Sequence, residues 1–214
     1  MFAVGHLAFG YLFAKVCQRL LKVDISLPLV FVLSLLPDAD LLISGLLHRG
    51  ITHSLIVLTI VFLPAFFFYR KYSVPYFVAV VQHSVPGDFL TGEGTQLFWP
   101  LTTKFYGMEV SMQSLSSIAI ECGGFLLALT IMVLTKDLSK LFKPQIKNWI
   151  LILPSGAVLV SAVFSWITVA SIVLLIAHAI FLAIFAMSVL RTLFLPTANY
   201  GDIKTEAGNS LNRS

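Results

Sequence analysis

Residues 167–193, ITVASIVLLIAHAIFLAIFAMSVLRTL, contain one charged side chain, Arg191, and neither proline nor glycine. A run of this kind reads as a helix crossing a hydrocarbon core about 30 Å thick, which takes about 20 apolar residues. Working outward, comparable runs lie at 4–22, 27–47, 52–70, 74–86, 114–134 and 148–165. They lack the polar/apolar alternation of barrel strands, and in lipid only helices or closed barrels satisfy their own backbone. The expected fold is an all-α integral membrane protein of six to seven transmembrane helices. One helix should be short or broken where Pro86-Gly87 interrupts it, and another bent at Pro37. Residues 1–196 form one multi-helix transmembrane domain, and 197–214 read as a disordered cytoplasmic tail, being polar and without periodicity.

Composition agrees. Hydrophobic residues make up 58% of the 214 residues, charged residues 11%, and mean hydropathy is +0.93. Soluble domains carry about 25% charged residues, so a soluble class is excluded. The net charge of +4 comes from basic residues in short inter-helical loops, which set topology and do not form a nucleic-acid-binding patch. With Arg19/Lys22, Arg70/Lys71, Lys136–Lys147 and Arg191 in the cytoplasm, only Arg49 and Lys104 fall outside. The N-terminus is then external and the C-terminus cytoplasmic. The first segment reads as a retained helix, since no basic n-region precedes it. Cys17 and Cys122 have no CxxC partner and read as buried apolar residues.

The same topology gathers polar groups on one side. His6, Asp38, Asp40, His48, His53, His83 and Asp88 all belong to, or flank, hydrophobic segments in the first 90 residues. Ionisable groups there are costly unless paired, solvated or metal-bound, which makes a functional reading the default. In LLPDADLL (35–42), two carboxylates spaced i, i+2 do not share a helix face, so both reach one cavity only if the chain unwinds at Pro37. In LLHRGITHS (46–54), Gly50 suits a left-handed helix end and Thr52 the N-cap of the next helix, so that His48 and His53 face one another. In QHSVPGDFLTGEGTQLFWP (82–100), His83 ends a helix and Asp88 follows its break.

Imidazole and carboxylate are the ligands of zinc, manganese and iron. Seven candidates suffice for one or two ions, zinc first, with Asp40, Asp88 and Arg49 as catalytic candidates and Arg49 as a phosphate binder. His178, alone in an apolar helix, reads as a packed residue with one hydrogen bond; Asp24, Asp137 and Glu93 read as solvated loop acids. Trp99, Phe98, Phe105 and Tyr106 suit the membrane interface. No GxSxG, P-loop or dinucleotide fingerprint is present.

At these residues the chain resembles the membrane-bound metal-dependent hydrolase family of bacterial and archaeal inner-membrane proteins. The matching pieces are GHL at 5–7, LPDAD at 36–40, HRGITHS at 48–54, and His83 followed by D-x-x-T-x-x-G-x-x-L-x-W-P from Asp88 to Pro100. The family commonly has His where this chain has Leu41, and three residues, not four, between the later His and Asp. It is in turn distantly similar to the zinc-dependent phospholipase C and single-strand nuclease group. The resemblance implies an inner-membrane hydrolase cleaving a phosphoester, a lipid-linked one among the candidates, with a metal-activated water at the external face. Two other classes compete: a divalent-cation or proton transporter, which needs polar groups through the full membrane depth, and a non-catalytic scaffold with a closed structural metal shell.

Overall fold

The structure is a computed structural model and describes residues 1–167 and 172–195. The expected tail, 197–214, lies outside the described residues. The described chain is helical: α1 (Ala3–Leu21), α2 (Leu27–Ser34), α3 (Leu55–Tyr69), α4 (Val74–Gln82), α5 (Leu115–Leu134), α6 (Asp137–Leu141), α7 (Ile152–Ile167) and α8 (Ile172–Phe194). Among the described residues, four segments are long and apolar enough to cross a membrane: Leu55–Tyr72, Leu115–Leu134, Ile146–Phe164 and Ile172–Phe194.

Of the six to seven spans expected from sequence, four are thus found among the described residues, and two of the remaining runs are cut short for local reasons. The second run, 27–47, stays α-helical only to Ser34. Pro37 cannot continue the ladder, and Leu36–Leu42 tightens into a 3₁₀ turn. The fourth run stops at Gln82, where Val85 takes extended angles within a wide π-type turn over His83–Asp88. At 8 and 9 residues, α2 and α4 reach only about 12–14 Å.

Helix α1 sits in the middle, packing on α2, α4, α5, α7 and α8. Its buried face alternates small and large residues, including Ala3, Gly5, Leu7, Ala8, Gly10, Tyr11 and Ala14. The small ones let neighbouring backbones approach closely. At Gly10 a β-carbon would collide with the Ser34 hydroxyl. Below the polar cluster, Tyr11, Phe31, Phe125, Phe181 and Phe185 form an aromatic core, with Phe31–Phe185 and Phe125–Phe181 ring centroids 5.1 and 5.3 Å apart. Helix α3 is peripheral and packs chiefly on α4.

Asp137 corrects a sequence expectation. It is 1% exposed, not solvated, and its carboxylate accepts from Tyr11 (3.0 Å), Thr135 (2.9 Å) and Lys140 (2.8 Å) and pairs with the buried Lys15. Thr135 and Lys136 turn the chain back at the end of α5, with Lys136 left-handed at φ 59°, and aim the acid at α1. Asp24 is exposed, as expected. His178 is packed but makes two hydrogen bonds, to Leu174 O (2.7 Å) and Ser161 Oγ (3.0 Å). Both cysteines are free and half-buried.

Removing one partner of a buried ion pair costs roughly 3–5 kcal/mol, because the other charge is left unpaired. Asp137→Ala should therefore lower the thermal midpoint in detergent markedly, whereas the paired Lys15→Met/Asp137→Leu variant should recover most of the loss. Equal destabilisation by both would contradict this account.

Candidate metal centre

The first turn of α1 carries His6, and three other helices hold that turn. The Phe2 N–H donates to both Glu121 oxygens of α5 (3.0 and 3.2 Å), and the Ala3 N–H donates to Ser161 Oγ of α7, itself bonded to His178 of α8. A helix start leaves N–H groups without intrahelical partners, and the Glu121 carboxyl supplies an acceptor beside them. Sequence reading passed over Glu121 because it lies in an otherwise apolar run; an acid at such a position was the available signal. The His6 imidazole stacks on His83 (centroids 3.6 Å) and has its Nε2 3.5 Å from Asp88 Oδ1. Gly87 permits this approach, since a β-carbon there would lie 2.8 Å from the His6 ring.

The 3₁₀ turn after Pro37 sends its two carboxylates to opposite edges of His53. Asp38 Oδ1 lies 3.5 Å from His53 Nε2, and Asp40 Oδ2 lies 3.4 Å from His53 Nδ1. Asp40 is fully engaged: it accepts from Thr52 Oγ1 (2.7 Å) and the Arg49 backbone N–H (3.2 Å), and its other oxygen faces His48 Nδ1 at 3.0 Å. Because the Thr52 hydroxyl donates to Asp40, its lone pair accepts from His53 Nδ1 at 3.0 Å. That leaves His53 Nε2, buried and without a hydrogen-bond partner, as the free nitrogen. His83 repeats the logic, since its Nδ1 must donate to the Ser34 carbonyl at 2.7 Å. Its Nε2 then points to Asp38 Oδ1 (3.1 Å) and Asp88 Oδ2 (3.8 Å).

The expected turn chemistry shifts by a residue or two. Arg49, not Gly50, is left-handed (φ 63°), and Ser54, not Thr52, caps α3 by accepting from Val57 N–H. Thr52 is thereby free to serve Asp40. His48 and His53 do face one another, with ring centroids 5.5 Å apart. The Arg49 guanidinium reaches 3.5 Å from Asp88 Oδ1, packed against Gly92, where any β-carbon would collide with it. The amino group of Met1 lies 3.0 Å from the same oxygen. Segment 89–112 closes over Arg49: Gln96 N–H donates to Arg49 O, and Thr95 pairs with Tyr106 through two backbone bonds. Glu93 is exposed, while Phe98 stacks edge-on against Tyr106 at 5.1 Å.

Ligand atoms of Asp38, His53, His83 and Asp88 all lie within 4.8 Å of one another; a second such group joins Asp40, His48 and His53. The first group fits a divalent cation: two oxygens and two nitrogens converge, one nitrogen is buried and unpaired, and second partners set both ring tautomers. His6 adjoins this group, and His48 stands at its rim with its side chain 39% exposed. Leu41 is 64% exposed and lies outside it. Burial alone would raise the Asp88 carboxyl, but the His53 and His6 imidazoles at 3.5 Å and the nearby amino group outweigh it and hold it well below the usual range. For His53, burial pulls the imidazole down, yet the carboxylates of Asp38, Asp40 and Asp88 at 3.4–3.5 Å around the ring push it up to about 10.

The helices and the site together define an integral membrane protein with a candidate metal centre at one end of its bundle. The chain belongs to the YdjM inner membrane protein family, whose model matches residues 1–184. No curated protein and no solved structure matches the chain.

His53 raised to about 10 holds its second proton at neutral pH, and a cation must displace that proton. Metal binding at pH 7 should therefore release about one proton, and affinity should rise about tenfold per pH unit below that value. Calorimetry in buffers of different ionisation enthalpy measures the release. His53→Ala and Asp38→Ala should each abolish stoichiometric binding, while His48→Ala should cost about 10–100-fold as a supporting position. Unchanged metal content in the first two variants would refute the assignment.

Proposed function

We propose that this chain is a metal-dependent hydrolase of phosphoesters, acting at the external membrane face on a lipid-linked substrate. The observation that carries the reading is the convergence of Asp38, His53, His83 and Asp88 with the buried Arg49 beside them. These four residues would hold the ion, most plausibly zinc, with manganese or iron compatible with the same donors. When bound, such an ion supplies Lewis-acid polarisation of a phosphoryl group and lowers the pKa of water to about 7.

The chain's own residues supply the rest. The Arg49 guanidinium, with its Nε unpartnered and its fork beside Asp88, orients an anionic phosphoryl oxygen through charge-assisted hydrogen bonds. Asp40, acting through the Thr52 hydroxyl, fixes the proton on His53 Nδ1 and keeps Nε2 turned inward; its three hydrogen-bond partners make it a positioning residue and not a general base. Asp38, whose side chain is 29% exposed, lies where substrate enters. Phe98, Phe105 and the edge of 94–112 seat this mouth at the interface, where a lipid head group arrives without leaving its membrane.

A second reading, a structural metal in a scaffold, is favoured by the count of four protein ligands, which closes a tetrahedral shell. Cobalt substitution separates the two readings, since an open position responds spectroscopically to added inorganic phosphate and a closed shell does not.

Purified protein should hydrolyse a phospholipid or prenyl-phosphate substrate and lose that activity on chelation. Arg49→Gln should keep its metal while kcat/KM falls about 10²-fold, the usual cost of one oriented donor. Full activity after complete metal removal would overturn the reading.

A further inference from the structure

About 20 Å along α1 from His6, at the opposite end of the bundle, two adjoining cavities of about 540 and 310 Å³ share Gln18 and Asp24 in their walls. We propose that this crevice binds the phosphate head group of an anionic membrane lipid. Arg19 and Lys22 at the end of α1 line the larger cavity, and Lys143 in the loop after α6 and Lys147 in the 3₁₀ turn Ile146–Leu151 line the smaller. The floor is built: Asp137 and Asn148 are each 1% exposed, and the Asn148 amide is held by Leu141 O and Lys143 O at 3.2 and 2.9 Å.

Charge decides the class of ligand. Asp137 is already neutralised by Lys15 and Lys140, so it draws no cation from the four outer basic groups. Against those four stands only Asp24 among the acids lining the two cavities, which leaves an anion-attracting crevice. A phosphate in solution and a lipid phosphate share this chemistry, and the surroundings select the lipid. Leu134, in the wall of the larger cavity and exposed by 76%, gives the opening apolar surface suited to acyl chains, and the crevice lies at the end of a helix bundle built to sit in lipid. The positive-inside bias accounts for the sign of these residues but not for their gathering around two adjoining cavities.

The full chain in mild detergent is titrated with phosphatidylglycerol or with phosphatidylcholine of the same acyl chains, and bound lipid is counted by native mass spectrometry. Phosphatidylglycerol should bind the wild-type protein about tenfold more tightly. Arg19→Gln/Lys22→Gln and Lys143→Gln/Lys147→Gln should each remove most of that preference, as about 1 kcal/mol per basic residue would predict. Arg70→Gln/Lys71→Gln, an equal loss of charge at the far end of α3, should leave it within about twofold. Equal binding of the two lipids by the wild type overturns the proposal, a comparison that needs no variant to fold. An equal loss in the Arg70/Lys71 pair also overturns it, because the effect is then a diffuse field. Displacement of the lipid by inorganic phosphate, with no dependence on acyl chains, overturns the lipid assignment in favour of a soluble anion.

Discussion

An imidazole set between carboxylates at both ring nitrogens is the constraint around which the polar half of this protein is arranged. His53 meets Asp40 on one edge and Asp38 and Asp88 on the other, inside a bundle whose other walls are apolar. A single buried carboxylate in such surroundings is costly, and three without cationic partners would not be tolerated. Each element near the site therefore brings either a ligand atom or a hydrogen-bond partner that orients one. The loop at 48–54 supplies three donors to Asp40, α2 supplies a carbonyl to His83, and segment 89–112 holds the guanidinium. Removing Asp40 would release the Thr52 hydroxyl and with it the tautomer of His53, although none of the four converging ligands had been lost.

Helix α1 ties this end to the other. Its first turn is secured through Glu121 and Ser161, and its last third through Lys15 and Asp137. Between them lie the small residues on which α2, α4 and α5 close. The two polar anchors fix the depth and rotation of a central helix that an apolar interface alone would allow to slide. His6 inherits its placement from both.

Much of this was legible in the sequence, and where it was not the reason is physical. The pairing of Pro37 with two aspartates announced an unwound turn, and the Pro86-Gly87 break announced the end of α4. The cluster's membership followed from the cost of ionisable groups in apolar runs. Composition cannot distinguish a full span from an α-helix that ends midway and continues as another kind of turn, so 27–47 and 74–86 read longer than α2 and α4 are. Asp137 looked solvated because its partners, Lys15 and Tyr11, lie more than 120 residues away in the chain. Glu121 was hidden likewise, its role being to meet backbone N–H groups that no pattern of side chains reveals. The turn at 48–54 was placed correctly but its residues were misassigned, because a glycine invites the left-handed position that Arg49 takes.

The π-type turn at His83–Asp88 has a consequence for how chains of this architecture vary. A wide turn absorbs one more residue than a regular helical turn while still bringing its two ends to the same side. The separation of His83 and Asp88 along the chain is therefore not a ruler for their separation in space: Nε2 and Oδ2 stand 3.8 Å apart across four intervening residues. An insertion at this point changes the kind of turn and leaves the direction of both side chains intact. Elsewhere in the site, along the tight 3₁₀ stretch from Leu36 to Leu42, one added residue would swing Asp40 away from His53 altogether.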